Sequence, residues 1–466
     1  MISLPGLHLS NPTPEPPSTA ESIVTRTQDL LACSEYRFEV PFTRTLTIRL
    51  LTGTAEFFGT ELAPSSTYTF TGTKGAVYTW RGCKLEIGGL AESEYTSEET
   101  QMMSYANAHF ALEKLRERSV QTGELGPRIL VVGPENAGKT SVVKILTSYA
   151  VKAGRQPVVV NLDPRQGMLS VPGSVTAAAF SSIIDIEDSW GSSPISGPSP
   201  VPVKMPLVYH YGIANPDEGS LFRPLVTRMA LAVTSRLEDD KPSRQAGFII
   251  DTSGAISHGK GGVYENIDHI ISEFSVNVLF VLGSERLYSD LARKYSNRPT
   301  EEAVSVVRLD KSGGCVDRDE AYMKQLRQAQ IRAYFFGHGE NTLGPHSHMA
   351  DYDELNIFRI VDAASDANSS FRPGNDDDDV YGSTNNIYTK ATPSPMIQNS
   401  LLAVTTAAAT DSQEVIRDSS VRGYIYVADV DDVKKKVRLL SPQPGQTPSN
   451  AIILGSFPED VPGLVS

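Results

Sequence analysis

The segment Gly133-Pro-Glu-Asn-Ala-Gly138-Lys139-Thr140 constrains this chain more than any other. It fits the pattern G-x-x-x-x-G-K-[ST], in which a Gly-rich turn between strand and helix bares backbone N–H groups toward phosphate oxygens. The helix that follows adds the positive end of its dipole, which favours anions at its N-terminus. The lysine brings a point charge to the β- and γ-phosphates, and the threonine hydroxyl can ligate Mg²⁺. The flanks agree. Ile129-Leu-Val-Val132 is an apolar run of strand length, and Val142-Val-Lys-Ile-Leu146 continues a helix. The motif in this setting predicts a nucleotide site on an α/β core.

From Pro127 onward, apolar runs without alternation recur at Arg128–Val132, Pro157–Asn161, Met205–Tyr211, Gly247–Ile250 and Val276–Leu282. Such runs fit parallel strands covered on both faces. Helices are expected over Thr140–Ala153 and about Arg318–Tyr334. Asp188–Pro202 is rich in Pro, Ser and Gly, which predicts a surface loop. Upstream the grammar differs. Tyr36–Val40, Thr45–Leu51, Thr67–Thr71, Ala76–Trp80 and Lys84–Ile87 are short β-type runs between turn clusters, as in a small all-β sandwich or barrel. A helix over about 100–118 bridges the two regions, with Tyr105, Ala108, Leu112 and Leu115 on one face and Lys114, Arg116 and Glu117 elsewhere. Beyond Gly337 lie the loop GHGENTLGPHSHMADYD, a low-complexity stretch through Asn375–Asp379, and β-like runs at Val421–Val427, Val437–Leu440 and Ile452–Leu454. The four aspartates read as a solvated loop.

Charge narrows the function classes. Across 466 residues, Lys+Arg number 42 against Asp+Glu 55, a net −13. That excludes a surface coated in positive charge, so any RNA contact is local, in a cleft, or made through a partner. Cys33, Cys83 and Cys315 are too few and too far apart for a disulfide framework and suggest a reducing compartment. The first thirty residues, with Pro5, Pro12, Pro14, Pro16 and Pro17, do not read as a signal peptide. There is no apolar run of the ~18 residues that a membrane span requires.

Two aspartates are candidates for work beside the Gly-rich turn. Asp251 ends the run Gly247-Phe-Ile-Ile-Asp251, the form of a carboxylate that holds a metal's water shell. Asp163 ends Val158-Val-Val-Asn-Leu-Asp163 and precedes Pro164-Arg165-Gln166; one strand over from the phosphates, it could take a hydroxyl proton. Either could equally be a strand-end turn residue. Arg286 and Arg293, seven apart, share one face of a helix and could clamp phosphates as a lid. A solvated amphipathic helix would look the same. His338, His346 and His348 lack the Cys or carboxylate pattern of a zinc set and read as turn residues. No nucleophile triad is visible, and no N-K-x-D-like segment supports a GTPase.

Taken in order, LLTGTAEFFGTEL, VVGPENAGKTSVVKIL, VVVNLDPRQGMLSVPGS, PLVYHYG, IIDTSG, GSERLYSDLARKY, LDKSGG, RDEAYMKQLRQAQIRAYFFG and VRGYIYVADVDD resemble one family. It is that of the ATP-binding subunit of the eukaryotic pre-mRNA cleavage factor (Clp-one family), related to RNA polynucleotide 5′-hydroxyl kinases. The resemblance runs from about Glu35 to Leu454, and the Pro/Ser insertion and long C-terminal loop look fungal. Residues 1–20, rich in Pro, Ser and Thr, read as a mobile tail, and the resemblance implies a multidomain chain after it: an N-terminal all-β domain with a linking helix over 21–120, and a central α/β P-loop domain with a parallel sheet over 121–336. A C-terminal α/β domain rich in strands follows over 337–466, with a low-complexity loop near 363–386. It further implies ATP and Mg²⁺, with the base against Glu35 and Lys74 and the phosphates on Gly133, Asn136, Ala137, Gly138, Lys139, Thr140 and Ser141. The metal would sit at Thr140 and Asp251. Without the resemblance, a lone Glu35 and a lone Lys74 would read as surface residues. In kinase-active members Asp163, Gln166, Arg286 and Arg293 would be catalytic.

The resemblance also implies a nuclear subunit of cleavage factor IA, bound to a Pcf-type scaffold and other cleavage and polyadenylation subunits, with RNA contact mainly indirect and no membrane. Departures fall on the acceptor side. Active relatives carry Asp-Val-Gly-Gln where this chain has Asp163-Pro164-Arg165-Gln166, which adds a bulky cation and removes a permissive backbone position. A tryptophan that stacks on an RNA base is replaced by Ala255, and such a stack contributes roughly 1–3 kcal/mol. Threonines after the family's Y-H-F-G segment are replaced by Ala214 and Asn215. The ATP side is intact. The expectation is a largely structural ATP with the acceptor site lost; the alternative is an active RNA 5′-hydroxyl kinase with Asp163 as base.

Overall fold

The computed structural model describes residues 25–190, 206–216, 221–259, 262–295, 303–338, 341–361 and 387–465. The expected tail over 1–20, all of the Asp188–Pro202 insertion beyond Trp190, and the stretch through Asn375–Asp379 lie outside the described residues. Among the described residues no helix is long and apolar enough to cross a membrane.

The N-terminal strands make two packed sheets. One has the order Thr25–Leu30, Cys83–Gly89, Leu46–Gly53, Thr67–Phe70; the other runs Thr60–Glu61, Glu56–Phe57, Lys74–Thr79, Ser34–Glu39, Ser93–Ser97. Alternation builds the filling: Leu46, Ile48 and Leu50 on one strand meet Leu85 and Ile87 on its neighbour, and Phe70 of the same sheet packs on Phe38 and Phe57 of the facing one. Of the sandwich or barrel expected, this is a sandwich.

The bridging helix spans Met102–Thr122. Tyr105, Ala108 and Leu112 are buried as expected, but the pattern then reverses: Leu115 is 38% exposed and Arg116 0%. The buried stripe Tyr105–His109–Leu112–Arg116 keeps helical spacing and ends on a cation. Arg116 Nε donates to the carbonyl of Ala246 at 3.1 Å, and its guanidinium lies 3.5 Å from Glu113. A fork that satisfies a buried carbonyl outweighs hydropathy there, although burial pulls its pKa down to about 10.

The central sheet has seven strands in the order Leu207–His210, Ser174–Ala179, Val158–Leu162, Phe248–Thr252, Arg128–Val132, Val278–Leu282, Ser305–Leu309. From Val158–Leu162 to Ser305–Leu309 they run parallel. The sheet is not wholly parallel, however. Ser174–Ala179, unmarked in the sequence because Ala-rich Ser-Val-Thr-Ala-Ala-Ala has weak strand propensity, pairs antiparallel with Val158–Leu162. Leu207–His210 in turn pairs antiparallel with it. The edge strand Ser305–Leu309 also escapes the apolar-run pattern, since most of its side chains face solvent. The carboxyl ends of the parallel strands carry the Gly-rich turn, Asp163 and Asp251, where open α/β sheets bind ligands.

The C-terminal region is a seven-stranded sheet in the order His346–Asp351, Lys436–Ser441, Val421–Asp431, Leu401–Ala408, Asn450–Leu454, Ile357–Ile360, Tyr388–Ala391. It is strand-rich as expected, with the short α-helix Gln413–Asp418. His346 and His348 lie on a strand, and His338 on the short strand Gly337–His338, rather than in turns.

This sheet docks on the helix Glu320–Phe336. Tyr334 packs edge-on against Tyr424, and Phe335 against Tyr426. Tyr424 pairs with Ala403 on one side, but pairing on the other side begins only at Tyr426. The leftover N–H of Tyr424 donates to the Tyr334 hydroxyl at 3.0 Å. Removing that acceptor strands a buried donor, at a cost of about 1–3 kcal/mol. Tyr334→Phe therefore lowers the melting temperature by several degrees and leaves nucleotide affinity as it was; calorimetry showing no change in melting would contradict this packing account.

Candidate nucleotide site

The strand Arg128–Val132 delivers the chain into a turn that only unusual backbone can make: φ is +155° at Gly133, +55° at Asn136 and +88° at Gly138. Gly138 has a second reason to be glycine. A Cβ there would stand 2.7 Å from the Cys315 sulfur, because the loop Ser312–Val316 lies against the turn. The helix Lys139–Lys152 then starts, with Ala137 sunk into the core at 1% exposure.

Lys139 is 7% exposed, and its ammonium donates to the carbonyl of Pro134 at 2.8 Å. Burial depresses its pKa, opposed by the charges of Asp251 and Asp163. One carbonyl is thin company for three donors. The Thr140 hydroxyl donates to Asp251 Oδ2 at 2.6 Å, and Asp251 Oδ1 accepts the N–H of Thr252 at 3.0 Å. Asp251 is buried at 1% exposure, and burial pushes its pKa up to about 6 despite the Thr140 bond and the nearby Lys139. Hydroxyl and carboxylate together suit a small hard cation. Among the described residues no cluster of three or more His, Cys, Asp or Glu could hold a metal by itself. A cation here would need phosphate oxygens and water to complete its shell.

Above the turn opens a cleft of about 680 Å³ with walls from two domains. Asn136, Ala137, Gly138, Lys139, Thr140 and Ser141 line its floor, and Glu35 and Lys74 line its roof. Gly133 lies below the lining. Glu35 is no surface residue: its strand is buried at all but its last position. One carboxylate oxygen accepts Arg37 Nε at 2.7 Å and the other the Thr100 hydroxyl. Lys74 pairs with Glu39 at 2.8 Å and stands 5.0 Å from the centre of the Tyr322 ring.

The side of the cleft that holds Asp163 is crowded. Asp163 Oδ1 accepts the N–H of Arg165 at 3.1 Å and Oδ2 accepts Gln166 Nε2 at 3.0 Å. The Arg165 guanidinium bridges Glu135 of the Gly-rich turn, at 2.9 Å, to Glu320 at the start of the helix Glu320–Phe336, at 3.0 Å. Arg318 spans the same gap, donating to Gln166 Oε1 at 3.1 Å and Asn136 Oδ1 at 3.4 Å. Glu320 also pairs with the buried Arg327, which pairs with Glu459 of the C-terminal region. A chain of ion pairs thus links the turn to the third domain.

Arg286 and Arg293 stand apart. On the helix Glu285–Tyr295 their side chains are 78% and 79% exposed, both turned to Asp290 between them, and neither lines the cleft. Leu287, Leu291 and Tyr295 occupy the buried face, so the arginines are left on solvent. The arginines that do reach the site, Arg37, Arg165 and Arg318, carried no spacing signal; the only hint for Arg318 was its place beside Asp319, which caps the following helix.

Asp251 yields a pH signature. Its folded-state pKa lies above the ordinary 3.8, so the fold penalises its ionised form. The nucleotide-free protein loses that contribution to stability as pH rises from about 4 through 6, and the loss is complete above. Asp251→Asn abolishes this titration. The melting temperature of the variant minus that of the wild type should rise between pH 4 and about 6.5 and then level; a flat difference would contradict the assignment.

Comparison with known proteins gives a consistent picture. Three family models match in order: N-terminal beta-sandwich domain of polyadenylation factor over residues 29–119, mRNA cleavage and polyadenylation factor CLP1 P-loop over 133–337, and Pre-mRNA cleavage complex II protein Clp1 over 343–459. The mRNA cleavage and polyadenylation factor CLP1 of Phaeosphaeria nodorum is 69% identical, with 100% of each chain covered. The corresponding protein of Botryotinia fuckeliana is 52% identical over 98% of each. Among solved structures, wild-type Clp1p in complex with Pcf11p superposes with a TM-score of 0.83 at 28% identity, covering 93% of this chain and 98% of that one. A second structure, on the extended Pcf11p–Clp1p interface and the basis of ATP loss in a point mutant, has a TM-score of 0.83 at 27% identity, with the same coverage of 93% and 98%.

Proposed function

The chain belongs to the CLP1 family of mRNA cleavage and polyadenylation factors, and from that premise we propose that it is the ATP-holding subunit of the nuclear pre-mRNA 3′-end cleavage factor, cleavage factor IA. In this reading it docks on a Pcf11-type scaffold subunit and acts beside the other cleavage and polyadenylation subunits, which supply most of the RNA contact. The net −13 supports the last point. The observation that carries the proposal is the two-domain cleft: Glu35 and Lys74 from the N-terminal sandwich face Asn136–Ser141 of the central domain across one cavity. A nucleotide held by both walls binds the folded pair and not the unfolded chain, so it braces the two domains. Glu35 and Lys74 take the base, Lys139 and the turn take the phosphates, and Thr140 with Asp251 would hold Mg²⁺, which neutralises phosphate charge when bound. A relative solved with Pcf11p, one point mutant of which loses ATP, supports a link between nucleotide and scaffold.

An RNA 5′-hydroxyl kinase is the second reading, favoured by Asp163 lying in the same cleft. Against it stand an Asp163 with both oxygens engaged, an Arg165 bridging the acceptor side, and Ala255 where a stacking ring would be needed. We take transfer to be lost.

Lys139→Ala combined with Thr140→Ala should abolish co-purification of ATP and weaken capture by the Pcf11-type scaffold. It should also remove about 3–4 kcal/mol of ligand-linked stability, the value for a ligand at 100–1,000 times its dissociation constant. Unchanged melting and scaffold capture would overturn the brace. Incubating the chain with γ-labelled ATP and a 5′-hydroxyl RNA should give no transfer; label transfer abolished by Asp163→Asn would establish the kinase instead.

A further inference from the structure

Lys144 follows Thr140 by four residues on the helix Lys139–Lys152, so the two share a face one turn apart. Helical side chains lean toward the N-terminus and cover the preceding turn. The ammonium of Lys144 is therefore carried back toward the phosphate-cradling loop, and Lys144 lines the same cleft as Lys139, Thr140 and Ser141.

Its company is unusual for a lysine. Nζ stands 5.5 Å from the centre of the Phe58 ring and 5.9 Å from that of Trp190. Among the described residues no carboxylate or carbonyl pairs with this half-buried lysine, and the indole N–H of Trp190 is buried without a partner. The other lysines of the cleft differ: Lys74 has Glu39, and Lys139 has the Pro134 carbonyl. Burial, with the charge of Arg318, pulls the Lys144 ammonium down to about 8, opposed by Asp251. A half-buried cation set against aromatic rings without an anion is unfavourably placed. Here the missing anion belongs to the ligand.

We propose that Lys144 binds the α-phosphate of the bound nucleotide and, through the Phe58 ring that cradles it, ties that phosphate to the N-terminal domain. The assignment rests on the nucleotide-site reading above. Lys139 addresses the β- and γ-phosphates. Lys144 starts one turn further along the helix and leans back, which puts its charge at the opposite end of the phosphate chain. Phe58 sits at the turn between the strands Glu56–Phe57 and Thr60–Glu61, whose neighbour Gly59 packs on Ile145 and Ser148 of the same helix. The contact that holds the lysine is thus also a contact between domains.

The test is a titration of the full chain, stripped of nucleotide, with ATP, ADP, AMP and adenosine. Lys144→Met keeps the length and apolar packing of the side chain and loses its charge; Lys144→Arg keeps the charge. The expected result is a loss of about ten- to hundredfold for ATP, ADP and AMP alike in the methionine variant, the range for a charge-assisted hydrogen bond. Adenosine should be unaffected, and the arginine variant should recover most of the loss. Equal affinities in wild type and Lys144→Met, a loss confined to ATP, or an arginine variant no better than methionine would each overturn the assignment. Lys144→Gln repeats the series should Lys144→Met not fold. A wild-type chain that binds none of the phosphorylated ligands would instead overturn the nucleotide-site reading itself.

Discussion

Positive charge drawn together around the start of one helix, with Lys139 buried and Lys144 and Arg318 half-buried, is the constraint on which the other features depend. Lys139 is nearly sealed and satisfied by a single carbonyl. Lys144 has only aromatic faces, and Arg318 leans over the turn from above. Such an arrangement is unfavourable in isolation, because a desolvated cation gives up its hydration without a Coulombic return. A triphosphate supplies that return at once. Asp251 shows the mirror image: a carboxylate that burial pushes toward protonation, poised beside a hydroxyl where a cation would favour its charged form.

The location of this charge explains why the chain needs several domains to finish one site. The helix that begins at Lys139 is covered from its second turn to its last residue by the N-terminal sandwich: Gly59 against Ile145 and Ser148, Tyr149 bonded to Glu56, and Lys152 paired with Glu61. A ligand at the first turn therefore lies at the edge of an existing domain contact and extends it. On the opposite side the ion pairs Glu135–Arg165–Glu320–Arg327–Glu459 run outward to the C-terminal sheet. Single exposed pairs contribute little, but a linked set anchored on the buried Arg327 couples its members through shared partners. Arg165, second in this series, stands beside Asp163, so in the proposed reading the pairs that link the domains occupy the space that phosphate transfer would need.

Much of this was legible in the sequence where chemistry depends on local spacing. The Gly-rich turn, its strand and its helix are contiguous, so one stretch of text carries the whole instruction. Short β-type runs between turn clusters likewise disclosed an all-β N-terminal domain, sandwich or barrel. Legibility ended where burial is decided by a distant partner. Arg116 looked solvent-facing because nothing nearby in sequence announces the Ala246 carbonyl. Glu35 looked like a surface residue because its Thr100 partner is 65 positions away, and only family resemblance placed it in the cleft. The helical spacing of Arg286 and Arg293 could not tell a lid from a solvated face, and Asp290 between them favours the second in this structure. Ser174–Ala179 went unseen because its alanines are held in the sheet by pairing on both edges rather than by propensity.

The most direct measurement is amide hydrogen exchange on the stripped chain with and without saturating ATP. If one ligand is gripped by two domains, protection should rise together in the strand Lys74–Thr79 and the loop Ser312–Val316, on either side of the cavity. Protection confined to the Gly-rich turn and its helix, with the sandwich strand exchanging as before, would show a nucleotide held by the central domain alone and would contradict the account.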